Sequence, residues 1–139
     1  MNRVLSVDYG IKRIGLALSD LMQIIAKPYK TITNIDNQQV LQELNIIVED
    51  KNVDRIVVGL PLTLKGEYSE QTKITIKFVE FLKQNMQTEI ITYDERLSSI
   101  QAKNSLIKQG VKTGHNKGAV DQTAAALFLQ GYLDGLSNK

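Results

Sequence analysis

Three acidic positions in this chain stand where segment boundaries can bring distant side chains together: Asp8, the Asp94-Glu95 pair and Asp121. Each also has a plainer role open to it. Asp8 can bond the amides of its own turn, and Asp121 can be a helix N-cap. Of Asp94 and Glu95 only one can face a shared site, because successive side chains in an extended segment point to opposite sides; the residues alone leave that choice open. Taken together the acids suit one chemistry. Hydrolysis of a phosphodiester with two magnesium ions needs several oxygen ligands, one carboxylate bridging both ions, and free positions for water and substrate. Without a cation the same group is a liability: two like charges ~4 Å apart repel by ~4 kcal/mol at an effective dielectric of about 20.

Composition narrows the ligand chemistry further. The chain has no cysteine and a single histidine, His115, so thiolate and multi-histidine metal sites are excluded and any metal must be held by oxygen. Its 139 residues, 42% hydrophobic and 23% charged, predict one soluble globular domain spanning residues 1–139. No apolar run approaches the roughly 20 residues needed to cross a bilayer, and Met1-Asn2-Arg3 opens no signal-peptide pattern, so a cytoplasmic protein is expected. The net charge of +2 is too mild to demonstrate nucleic-acid binding. Its distribution says more: Lys103, Lys108, Lys112 and Lys117 fall between Ser98 and Val120 with no carboxylate among them, whereas Asp36 to Asp54 is predominantly acidic.

The elements that must position these residues follow from periodicity. Val4 to Val7 is a short apolar strand ending at Asp8-Tyr9-Gly10, and a second strand, Ile14 to Ser19, follows too soon for a crossover, predicting an antiparallel hairpin. A weaker third strand is expected near Ile24 to Ile32, with Pro28 placing it at an edge. Val40, Leu41, Leu44, Ile47 and Val48 share one helical face, capped by Asp36 or Asn34 and ending near Lys51. Arg55 to Pro61 is a continuous apolar run of the kind buried on both faces of a parallel sheet. After a glycine-bearing loop, Thr63 to Tyr68, a second helix is expected from Ser69, burying Ile74, Phe78, Phe81 and Leu82. Glu89 to Tyr93 is the last strand. A third helix is expected from Ser98, closed by Gly110, then a mobile loop over Val111 to Val120, then a helix starting at Asp121 and ending near Gly135. Right-handed crossovers make the later strands parallel to the first, giving an α/β fold with a mixed five-stranded sheet, a three-strand antiparallel meander plus two parallel strands.

Four ordered segments carry a resemblance across essentially the whole chain. Asp8-Tyr9-Gly10-Ile11-Lys12-Arg13-Ile14-Gly15-Leu16-Ala17, Val58-Gly59-Leu60-Pro61, Tyr93-Asp94-Glu95-Arg96-Leu97-Ser98-Ser99 and Asp121-Gln122-Thr123-Ala124-Ala125 resemble the motifs of the YqgF family. Its members are described as Holliday-junction-resolvase-like proteins and pre-16S rRNA nucleases of bacteria. The resemblance implies a ribonuclease H-like fold with helices on both faces of the sheet, and metal-dependent endonuclease chemistry leaving a 5′-phosphate and a 3′-hydroxyl. It assigns Asp8, Glu95 and Asp121 as the catalytic acids; as ligands of two Mg2+ or Mn2+ ions, Asp8 is expected to bridge both and Glu95 and Asp121 each to complete one ion's shell. Ser99 stands where the family commonly has threonine, and His115-Asn116-Lys117-Gly118 where a more basic run is usual.

Around this set, Lys12, Arg13 and Arg96 are expected to contact substrate phosphates, joined by Lys112 and Lys117 from the basic segment. His115 is a candidate accessory group for proton transfer, and Tyr9 and Tyr68 are candidates for stacking on unpaired bases. The partners implied are structured RNA, with 5′-end processing of precursor 16S rRNA on ribosomal precursor particles as the leading function, or branched DNA, as a monomer or homodimer. Two other classes compete. A catalytically silent nucleic-acid-binding accessory is separated by metal-dependent cutting, and a sugar-kinase or actin-like ATP site needs a second lobe that 139 residues do not supply. Dinucleotide binding is disfavoured because no strand leads into G-x-G-x-x-G.

Overall fold

The computed structural model describes residues 1–97 and 117–137, and within these ranges the expected mixed sheet is present. Strands β1 (Arg3–Asp8), β2 (Arg13–Ser19) and β3 (Ala26–Thr33) form the antiparallel meander, and β4 (Val53–Leu60) and β5 (Glu89–Asp94) run parallel to β1, in the order β3-β2-β1-β4-β5. Helices α1 (Asn37–Asp50) and α2 (Glu70–Asn85) and a short 3-10 turn (Glu95–Leu97) intervene, and α3 (Lys117–Ser137) closes the described chain. The helix expected over 98–110 and the loop over 111–116 lie outside the described residues.

Strand alternation sorts the core into two layers. Leu5, Val7, Ile14, Leu16, Ile56 and Val58 point to one face, where α1 contributes Val40, Leu41, Leu44 and Ile47, and α2 contributes Phe78, Val79 and Leu82. Val4, Ala17 and Val57 point to the other, against Ala125, Ala126, Phe128, Leu129 and Leu133 of α3. Helices therefore cover both faces, and Asp8, at an even position of β1 like Val4 and Ser6, looks toward α3. The Ser6 hydroxyl confirms this direction by donating to the Ala125 carbonyl at 2.9 Å.

Pro28 lies on the edge strand as its missing donor requires, beside a register irregularity that leaves Tyr29 outside the ladder between Lys30 and Pro28. Three local expectations are corrected and one open alternative is resolved. β3 starts at Ala26 rather than Ile24, because the Asp20 carboxylate accepts the amides of Ile24 (2.8 Å) and Ile25 (3.0 Å) and closes a turn there. The choice of first cap falls on Asp36, whose Oδ1 accepts from the Gln39 amide at 2.8 Å. α2 is capped by Ser69 through a reciprocal box with Thr72, but Ile74 and Phe81 are only half-buried; Thr72 and Thr75 take the inner face, their hydroxyls satisfied by the Pro61 and Gln71 carbonyls. Finally, α3 begins at Lys117, so Asp121 is inside the helix and not its N-cap, and residues 117–120, expected as loop, are helical. Gly118 weakens a helix by about 1 kcal/mol, too little to stop one whose following turns pack on a sheet.

Candidate active site

The site is built around the last residue of the central strand. Asp8 pairs across the antiparallel ladder with Gly15 of β2, and on the other side Val7 pairs with Val58, so Gly59 is the next residue along β4. Both glycines lie on the α3 face, and both are places where a side chain has no room. A Cβ on Gly15 would sit 2.4 Å from the backbone carbonyl of Asp121, and one on Gly59 would sit 2.5 Å from Oε2 of Glu95 and 2.7 Å from the Phe128 ring. The bare backbone on either side of Asp8 thus admits one further acid each, Asp121 from α3 and Glu95 from the turn after β5.

The electrostatics follow from that packing. Asp8 is held well above the usual carboxylate range, first by burial and then by the charges of Glu95 and Asp121. Glu95 is raised by burial and by Asp94. Asp94 points elsewhere: Arg96 clamps it through Nε to both carboxylate oxygens, at 3.0 and 2.9 Å, and this bond lowers its pKa. Of the adjacent pair, Glu95 is the one that adjoins Asp8.

Among the described residues no three acidic, histidine or cysteine groups converge as a ready metal-binding cluster. Asp121 is turned to Arg13, whose Nε donates to its Oδ2 at 3.1 Å. The donor chemistry nevertheless fits a hard divalent cation: the groups around Asp8 are carboxylates, and their mutual repulsion, visible in the raised Asp8, is what such an ion relieves.

Two hollows flank the cluster. A cleft of about 390 Å³ lined by Gly10, Ile11, Lys12, Arg13, Gln71 and Asp121 opens on one side, and one of about 290 Å³ between Pro61–Leu64 and Glu95-Arg96 on the other. The larger groove of about 450 Å³, lined by Arg3, Lys27, Tyr29 and Lys51 among others, lies at the opposite ends of the strands and includes none of the candidate acids. In the first cleft Lys12 is exposed and its turn is tied down: the Lys12 and Gly10 carbonyls accept from Asn34 at 3.0 and 2.8 Å, and the Tyr9 carbonyl accepts from Gln71 at 3.3 Å. Arg13 contacts Asp121 and Arg96 contacts Asp94, each from a partly exposed position. Lys117 begins α3, and Lys112 and His115 lie outside the described residues. Tyr9 is not available for bases, since its ring stacks on Phe78 with centroids 4.1 Å apart, whereas Tyr68 is 60% exposed. Sequence reasoning missed the Arg13–Asp121 pair, the supporting Asn34 and Gln71, and the role of Gly15. The signal for Gly15 was present, since an isolated glycine inside a strand marks close approach of another backbone.

Sheet order, helices on both faces and acids at the carboxyl end of the central strand define a ribonuclease H-like α/β protein. The structure of T. thermophilus RuvC in complex with Holliday junction substrate shares this fold, with a TM-score of 0.63 at 12% identity, covering 100% of this chain and 98% of that one. The chain belongs to the RuvX family, described as Holliday junction resolvase, which matches residues 2–135. Relatives carrying the description "Putative pre-16S rRNA nuclease" include one from Sulfurihydrogenibium sp. strain YO3AOP1, 41% identical over 99% of this chain and 93% of its own length. Another, from Clostridioides difficile strain 630, is 39% identical over 95% and 94%. Among the described residues no helix is long and apolar enough to cross a membrane.

Proposed function

We propose that this chain is a metal-dependent endonuclease that hydrolyses phosphodiester bonds of structured RNA in the cytoplasm, trimming the 5′ end of precursor 16S rRNA during ribosome biogenesis. The observation that carries the reading is the placement of Asp8 between two glycines that admit Glu95 and Asp121 to the same end of the sheet. The names of the relatives supply the RNA. Asp8, Glu95 and Asp121 are the residues that would hold Mg2+ or Mn2+, which when bound activates water and stabilises the leaving oxygen. The chain's own contribution is positional. The tied turn at Tyr9–Lys12 presents Lys12 beside the cleft, and Arg13, Arg96, Lys112 and Lys117 supply further cations for the phosphates flanking the cut. His115 is the accessory group closest in sequence to Lys117 and Asp121.

The family description favours a second reading, resolution of branched DNA. One experiment separates them: purified protein is incubated with end-labelled precursor rRNA and with a four-way DNA junction, with Mg2+, with Mn2+ and with chelator. Cation-dependent cutting of the rRNA alone supports the RNA reading, and paired symmetric cuts in the junction support the other. Tight binding with no cutting in any cation would make the chain a silent accessory.

A further inference from the structure

We propose that Arg13 is a positioning residue serving as the cluster's own counter-cation: its guanidinium holds Asp121 until a divalent ion engages that carboxylate, and is then released toward substrate phosphate. The proposal rests on the metal-dependent reading above.

The geometry is set by strand register. Arg13 and Gly15 are two residues apart on β2 and so share its α3 face. The missing Cβ at Gly15 lets the Asp121 backbone close onto the strand, which brings the Asp121 carboxylate within reach of Arg13, 3.1 Å from Nε. Asp121 has therefore two claims on it, the guanidinium that it contacts and the shared environment of Asp8. The two side chains are 41% and 24% exposed, so rotation of either needs no repacking of the core. A partly exposed pair of this kind is weak, enough to bias the rotamers of Asp121 and small beside the attraction of a divalent ion for several carboxylates. Once released, the guanidinium remains in the cleft that it lines with Gly10, Lys12 and Gln71, where a planar fork can grip a phosphate through two donors.

The test is calorimetric titration of the full chain with MnCl2, together with thermal unfolding in chelator and in saturating Mn2+. Unaltered protein is compared with Arg13→Gln, Arg13→Lys and Asp121→Asn. Arg13→Gln should bind Mn2+ roughly two- to fivefold more tightly, the loss of a competitor worth a surface ion pair. It should also lower the unfolding midpoint in chelator and not in Mn2+. Arg13→Lys should restore most of the midpoint, which also shows that the position tolerates replacement, and in the Asp121→Asn background the gain from Arg13→Gln should shrink. Equal or weaker Mn2+ binding by Arg13→Gln, or the same loss of midpoint with and without Mn2+, would make the pair a plain structural tie and overturn the proposal. Failure of the unaltered chain to bind Mn2+ at all is a different result: it overturns the metal-dependent reading, and this inference with it.

Discussion

Asp8 is the residue on which the site turns, because it is where burial and like charge are concentrated. Its pKa is raised in the folded chain, so folding takes up protons there as pH rises past the unfolded carboxylate value. The stability that protonated Asp8 confers is complete at pH values below about 4 and is lost as pH climbs through its folded pKa. Asp8→Asn removes this loss. In chelator the variant should unfold at a higher temperature than the unaltered chain, with the gap widening from about pH 4 toward neutrality; each kcal/mol relieved is worth about 4 °C in a domain of this size. Calorimetric scans across that range check it, and a gap that narrows with pH would contradict the burial of a charged Asp8. In Mg2+ the same variant should not cut. The neighbouring acids divide sharply. Glu95→Gln should abolish cleavage, whereas Asp94→Asn, which loosens the Arg96 clamp and removes a charge beside Glu95, should reduce it by roughly tenfold, as loss of a supporting partner does. Single-turnover assays on the two variants distinguish them; equal losses would mean that the turn after β5 tolerates either orientation.

At the scale of elements, the site depends on how closely α3 and the Glu95 turn approach the sheet. Gly15→Ala and Gly59→Ala each place a methyl where backbone or carboxylate already lies, so each should cost about 1–3 kcal/mol and depress cleavage together with stability. Ser69→Ala is the contrast: it removes the α2 cap at a cost of about 1 kcal/mol and should leave cleavage rates unchanged at temperatures where the protein stays folded. Chemical denaturation with parallel rate measurements checks both. These elements also show what was legible beforehand. Strands with continuous or alternating apolar runs, the hairpin without room for a crossover, Pro28 at an edge and the Ser69 start were readable because each follows from local chemistry. The start of α3 was not, because Lys117-Gly118-Ala119-Val120 has weak local preference and its helicity is imposed by turns that pack later. Nor was the Arg13–Asp121 pair, which joins residues 108 apart in sequence and exists only through the contact at Gly15. The acids themselves were visible as candidates, but residue types could not choose Glu95 over Asp94. That choice depends on Gly59 making room for one and Arg96 occupying the other.

For the whole molecule the decisive quantity is the sign of its response to divalent cations. A chain of net charge +2 that met nucleic acid only through scattered lysines and arginines would bind by releasing counterions, and Mg2+ would weaken it by competing for the phosphates. A chain that sets Asp121 in one cleft and Glu95 in the other, with Asp8 between them, meets the opposite situation, since without a cation those carboxylates would repel the phosphates that Lys12 and its neighbours attract. Millimolar Mg2+ or Ca2+ at fixed ionic strength should therefore tighten binding of a labelled RNA to the unaltered protein. Replacing all three acids by their amides should tighten binding in chelator and make added Mg2+ weakening. In both proteins monovalent salt should weaken binding, with the slope falling by about one for each phosphate-contacting cation removed, Lys12→Gln being the simplest case. Fluorescence anisotropy in chelator and in each ion measures every term, and Mg2+ that weakens the unaltered protein and the triple amide alike would show that the carboxylates do not face the nucleic acid.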